Sequence, residues 1–179
     1  MSNLTADTVH RFFIFRHGLA THSKNGYGDQ VLNATLLEEG VPAIEKLGTY
    51  LKSIPRDYAY SSELPRCRQT AAIVTKATGA SFTFDPRLNE YHQEQFAQFT
   101  ERVNDFLEDV VEVADRLCQK RDCSNDPVTI WICSHGAVIA CLKHLLLEGT
   151  HVQEDELDYT QPGEVLEIWK KNTKLHIFN

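Results

Sequence analysis

Two short apolar runs, each broken by a histidine and a glycine, constrain this chain more than any other feature. Arg11 to Arg16 reads RFFIFR and gives way to His17-Gly18, and Val128 to Cys133 reads VTIWIC and gives way to Ser134-His135-Gly136. A brief stretch of aromatic and branched residues that stops at turn formers is the pattern of a buried strand. Strands apolar on both faces need helices on both sides, which is the construction of α/β domains. Ligands of such sheets bind beyond the carboxyl ends of the strands. Both imidazoles fall at that kind of position, with glycine letting the chain turn and approach a ligand closely.

The intervening pattern agrees. Leu36, Val41, Ile44, Leu47 and Leu51 recur at helical spacing, predicting a helix over Thr35 to Leu51 that stops at Ile54-Pro55. Tyr58 to Tyr60 reads as a second strand, Pro65 to Thr78 as a helix closed by Gly79, and Phe82 to Phe84 as a small third strand. A long helix is expected from Phe96 to Lys120, with Phe99, Val103, Phe106, Val110, Val113 and Leu117 on one face. An apolar helix over Ala137 to Leu147 follows the second histidine, and Glu164 to Trp169 with Lys174 to Phe178 reads as a hairpin turning at Lys171-Asn172. The expectation is an α/β fold, a three-layer α/β/α sandwich with a mostly parallel central sheet, forming a single domain over 1–179.

Composition narrows the partners. Eighteen Lys and Arg against 25 Asp and Glu give a formal charge of −7, which disfavours nucleic acid and anionic lipid. No stretch approaches the roughly 20 apolar residues that cross a bilayer, and Met1 to Thr8 lacks the profile of a secretory leader, so a cytoplasmic location is expected. The five cysteines include no CxxC pair and read as reduced thiols, with Cys133 and Cys141 buried. His22, His92, His144 and His151 show no HxH or HExxH spacing, so neither a metal nor another cofactor is expected.

An acidic protein that handles an anion needs a local cluster of cations. The segment Ser62 to Ala71 (SELPRCRQTA) follows the second strand and puts Arg66 on the first turn of a helix, where the amides also favour negative charge. Arg16, Arg66, His17 and His135 in one pocket would suit a phosphoryl group, because guanidinium groups pair with phosphate oxygens. Glu90 in Arg87 to Glu90 (RLNE), with Glu94 as substitute, is the candidate to protonate a departing alkoxide. Arg68 reads as solvated, Trp131 and Trp169 as core, and Gly26-Tyr27-Gly28 as a fragment of a nucleotide loop with nothing after it that a P-loop requires.

FIFRHGLA at Phe13 to Ala20, SSELPRCRQTA at Ser61 to Ala71, RLNE at Arg87 to Glu90 and ICSHGAVI at Ile132 to Ile139 occur in the order and spacing of a known family. Over roughly Phe12 to Leu147 the chain resembles the histidine phosphatase superfamily, also called phosphoglycerate mutase-like. The resemblance implies a metal-independent phosphomonoester hydrolase in which His17 is the nucleophile and forms a phosphohistidine. Arg16, Arg66 and His135 would bind the phosphoryl oxygens, and Glu90 would act as acid and then as base. Family members that act on phosphoglycerates or sugar bisphosphates carry polar residues after RHG. Here those places read Leu19, Ala20 and Ser23, with Asn25 as a replacement, which weakens a mutase reading. The short segment between Glu90 and the long helix leaves no room for a lid, so an open site is expected. The substrate is then a phosphorylated small molecule or a phosphoprotein. A protein phosphohistidine phosphatase is the alternative, and a phosphoglycerate mutase or a weakly active phosphate-binding protein ranks below both.

Overall fold

A computed structural model describes residues 8–21, 26–171 and 175–177, the last three as backbone. Six strands form one sheet: β1 (Val9–Arg16), β2 (Tyr58–Ser61), β3 (Thr83–Phe84), β4 (Val128–Ser134), β5 (Val165–Lys171) and β6 (Leu175–Ile177), in the order β3-β2-β4-β1-β5-β6. β1, β2, β3 and β4 run parallel, whereas β5 and β6 are antiparallel to their neighbours. The hairpin expected at the tail is therefore present, although its turn lies outside the described residues.

Four helices cover the sheet: α1 (Val41–Leu51), α2 (Pro65–Thr78), α3 (Phe96–Lys120) and α4 (Gly136–Leu147). Alternation along the strands decides which residue meets which layer. Phe12, Ile14, Ile130 and Ile132 pack with Phe99, Val103 and Phe106 of α3 and with Val138, Ile139 and Leu142 of α4. Phe13, Phe15, Trp131 and Cys133 point the other way, onto Ile44, Leu47 and Leu51 of α1 and Cys67 and Val74 of α2. Each layer has its own core, which makes the three-layer α/β/α sandwich.

The helix ends follow the expected chemistry. α2 has Pro65 in its first turn and stops at Gly79, whose φ of 73° is left-handed and whose N–H bonds Thr75. α3 starts with a reciprocal pair in which Gln95 and Gln98 cap each other's backbone. α1 is shorter than its periodicity predicts, because it begins at Val41 rather than near Thr35. Leu36 is spent on an antiparallel bridge to Ala20, and the Leu37 N–H bonds the Leu19 carbonyl at 2.9 Å. Those bonds tie the chain down before the helix can start.

A second correction concerns the cysteines. Cys118 and Cys123 form a disulfide with Cα atoms 5.4 Å apart, because the chain leaves α3 extended at Arg121 and doubles back. Cys67, Cys133 and Cys141 are free, and Cys133 and Cys141 are buried as expected, with Cys67 buried as well. Trp131 is fully buried, and Arg68 is exposed with its guanidinium 4.1 Å above the Phe84 ring. Among the described residues no helix is long and apolar enough to cross a membrane.

Candidate active site

The register of the sheet brings the motifs level. Cys133 pairs with Phe15 on one side and Ser61 on the other, so Arg16, Ser62 and Ser134 emerge side by side. The ladder then runs on for one more bond on each side: His17 N–H to the Ser134 carbonyl at 3.1 Å and Ser62 N–H to the Cys133 carbonyl at 3.0 Å. His17 and His135 consequently face each other with ring centroids 5.1 Å apart. Arg66, one residue into α2, reaches the same point and donates from Nε to His17 Nε2 at 3.2 Å.

Hydrogen bonding fixes which nitrogen of His17 is free to react. The Gly18 carbonyl can only accept, so His17 Nδ1, 2.7 Å away, carries the proton. Nε2 is then the bare lone pair, and it is the atom that Arg66 approaches. Burial and the charges of Arg66 and Arg16 push the His17 pKa from 6.5 down to about 3, against a smaller upward pull from the Gly18 bond. The ring stays neutral and nucleophilic across the physiological range.

His135 is held differently. Its Nε2 lies 2.8 Å from Ser62 Oγ, whose hydroxyl donates to Asn89 Oδ1 at 2.8 Å and accepts from the Leu64 N–H at 3.2 Å. Because the Ser62 proton is committed to Asn89, His135 Nε2 donates to Ser62. Asn89 Oδ1 also accepts from the Glu63 N–H at 3.2 Å, and Ser134 Oγ donates to the Leu88 carbonyl at 2.8 Å. The RLNE segment is thereby stitched to both strand ends. Burial first, then the neighbouring His17 and Arg66, holds the His135 pKa well below its ordinary value.

Two buried donor atoms at this place have no partner: Arg66 Nη2 and Arg16 Nε. Arg16 donates from Nη1 to the Thr160 carbonyl at 2.8 Å, and Arg66 from Nη1 to the Val31 carbonyl at 2.5 Å. A buried guanidinium N–H without an acceptor costs free energy, and both donors are of the kind that an anion could use. Glu90 belongs to the same cluster. Burial raises its pKa, while Arg66, Arg16 and Arg102 oppose the rise through their charges, and one oxygen accepts from the Tyr91 N–H at 3.0 Å. Glu94 is not equivalent, because it is engaged by Arg102 (Nε to Oε2, 3.0 Å). Arg102 in turn donates to the Arg87 and Glu90 carbonyls at 2.6 and 3.3 Å, clamping the segment that carries Glu90.

The structure thus brings together Arg16, His17, Arg66, Glu90 and His135. Ser23 and Asn25 lie outside the described residues. The expected openness is corrected: His17, Arg66 and His135 are all 0% exposed. The cover comes from before α1 and from the loop between α4 and β5, rather than from the segment after Glu90. Tyr27 places its hydroxyl 3.5 Å from His17 Nε2, and Tyr159 stands over Gly136, where an added Cβ would meet its ring at 2.5 Å. Ser62, Asn89 and Arg102 are not singled out from sequence, and Tyr27 is noted there only within a nucleotide-loop fragment. Ser62 and Asn89 sit inside the quoted motifs and were legible as partners there, whereas Arg102 and Tyr27 act through contacts that no local pattern announces. Among the described residues no group of three or more His, Cys, Asp or Glu could hold a metal.

Two imidazoles and two arginines gathered at the ends of parallel strands form a cationic site of a size to hold a phosphoryl group on an α/β fold. Comparison with known families agrees: the profile of the histidine phosphatase superfamily (branch 1) matches residues 12–97. A broad-specificity phosphatase of Saccharomyces cerevisiae is 28% identical over 175 residues, covering 81% of this chain and 74% of that protein. The fold matches phosphoglycerate mutase from Bacillus anthracis (TM-score 0.76, 18% identity, 97% of this chain and 93% of that one). It also matches a mycobacterial glucosyl-3-phosphoglycerate phosphatase (TM-score 0.74, 18% identity, 96% and 99%).

Proposed function

We propose that this protein is a metal-independent phosphatase that hydrolyses phosphomonoesters through a phosphohistidine on His17. The observation that carries the reading is the unprotonated Nε2 of His17, which accepts from Arg66 Nε and is flanked by the unpartnered donors of Arg66 and Arg16. Nε2 attacks phosphorus as the bond to the ester oxygen breaks, and Glu90, whose pKa burial raises, gives its proton to that oxygen. The resulting carboxylate takes a proton from water as the water oxygen attacks phosphorus. The P–N bond then breaks and releases phosphate. Arg16 and Arg66 stabilise the charge on the equatorial oxygens, the work that a metal ion does in other phosphoryl-transfer sites. His135, its Nε2 proton given to Ser62, donates to them from Nδ1 once the charge of the bound phosphoryl group has drawn a second proton onto the ring.

The substrate class is phosphorylated small molecules rather than bulky phosphoproteins. Support comes from the buried nucleophile and from the broad specificity stated for the yeast relative. The polar residues expected of a second phosphate site are replaced by Leu19 and Ala20, which argues against a mutase. Turnover of small phosphomonoesters by wild type and His17→Ala, with vanadate and with a chelator, tests the proposal. Loss of turnover in the variant, inhibition by vanadate and indifference to the chelator are expected. Normal turnover by His17→Ala, or loss of activity on chelation, would overturn it.

A further inference from the structure

Gly26-Tyr27-Gly28 resembled a nucleotide-loop fragment and has no part in the chemistry above. Both glycines have positive φ, 76° and 47°, with nothing within 4 Å of where a Cβ would stand. Packing does not require glycine at either place; the backbone conformation does. The two left-handed residues turn the chain so that Tyr27 enters the catalytic cluster.

There its contacts coincide with those that a phosphoryl group needs. The hydroxyl stands 3.5 Å from His17 Nε2, the distance at which a reacting atom waits before attack (about 3 to 3.5 Å). The ring lies 4.3 Å below the Arg66 guanidinium carbon. Four residues on, the Val31 carbonyl takes Arg66 Nη1 at 2.5 Å. One short segment thus holds the nucleophile's lone pair, a face of Arg66 and one of its donors. We propose that Tyr27 is an internal competitor for the phosphoryl seat, which every phosphoryl ligand displaces in order to bind. The inference rests on the phosphoryl site proposed above and adds a residue that sets its affinity.

A competitor of this kind acts on all ligands alike. It weakens substrate, phosphate and vanadate by one common factor, the reciprocal of the fraction of molecules in which the seat is free. A cation–π contact and a weak hydrogen bond together suggest a factor of about ten, equivalent to about 1.4 kcal/mol. A tyrosine that binds the phosphoryl group would behave in the opposite way, since its removal would weaken binding.

The test is calorimetric titration of inorganic phosphate and of vanadate into wild type, Tyr27→Ala and Tyr27→Phe, together with KM for a small phosphomonoester. The expected result is about tenfold tighter binding of both anions by Tyr27→Ala, a KM lowered by the same factor, and an intermediate effect in Tyr27→Phe. Unchanged or weaker binding by Tyr27→Ala overturns the inference. If Arg66→Ala abolishes phosphate binding while the Tyr27 variants bind no tighter, the phosphoryl site stands and only the role of Tyr27 falls. Absence of phosphate binding in every protein removes both.

Discussion

Ser62→Ala is the perturbation that separates positioning of His135 from mere proximity. Ser62 is fully buried, and its Oγ donates to Asn89 at 2.8 Å while accepting from Leu64 N–H at 3.2 Å and from His135 Nε2 at 2.8 Å. Alanine strands all three partners without water access. Each buried polar group left unmade costs about 1–3 kcal/mol. The Asn89 oxygen keeps the Glu63 N–H, so two groups bear most of the loss, giving about 2–6 kcal/mol in total. At about 2–4 °C per kcal/mol for a chain of this size, the melting temperature should fall by roughly 4–24 °C. His135 also loses the acceptor that fixes its tautomer, so kcat should fall by about tenfold or more while a surface Ser→Ala control changes neither quantity. Thermal melts and steady-state kinetics on the same preparations give both numbers. A variant as stable and as fast as wild type would refute the claim that Ser62 holds His135.

Other outcomes follow from the same geometry. Glu90→Gln should slow esters of poorly acidic alcohols by about 10²- to 10⁴-fold and p-nitrophenyl phosphate far less, since only the former need a proton from the acid; equal losses on both would remove Glu90 from that role. Acid should destabilise the fold through its buried imidazoles. The unfolded chain protonates His17 near 6.5 and the folded protein only near 3, so stability declines as pH falls between those values, by up to about 1.4 kcal/mol per pH unit. His135 adds to the decline, whereas Glu90, its folded pKa raised, contributes stability at low pH that is lost as pH rises through that value. Urea midpoints at pH 7 and pH 5 should therefore differ, and a flat profile would contradict the buried neutral pair. Gly18→Ala would set a Cβ 2.8 Å from Cγ1 of the fully buried Ile44, and should lower stability by about 1–3 kcal/mol in urea titration.

The elements most legible in the sequence were those with one dominant physical cause. VTIWIC is buried on both faces and could be nothing but a central strand. α3 carries its apolar stripe over its whole length, and α2 is bracketed by Pro65 and Gly79, so their limits agree with the expected ones. The start of α1 was misjudged because Leu36 continues the helical spacing while actually bridging to Ala20, a tertiary contact that periodicity does not carry. The meeting of His17, Arg66 and His135 was legible as residue types at strand ends. Their cover was not, because a short gap after Glu90 says nothing about a segment more than 60 residues earlier in the chain (Tyr27 to Glu90) folding over the same place. The Cys118–Cys123 pairing was missed for a related reason, since the doubling back after α3 depends on the extended Arg121.

The central claim is that His17 Nε2 becomes bonded to phosphorus during turnover. Brief reaction with a labelled phosphomonoester, denaturation at alkaline pH where phosphohistidine survives, and peptide mapping by mass spectrometry test it directly. The account predicts one acid-labile, alkali-stable phosphoryl group on the peptide containing His17, absent from His17→Ala. Turnover with no such adduct on His17, or a stable phosphoryl group on another residue that forms at the turnover rate, would contradict it.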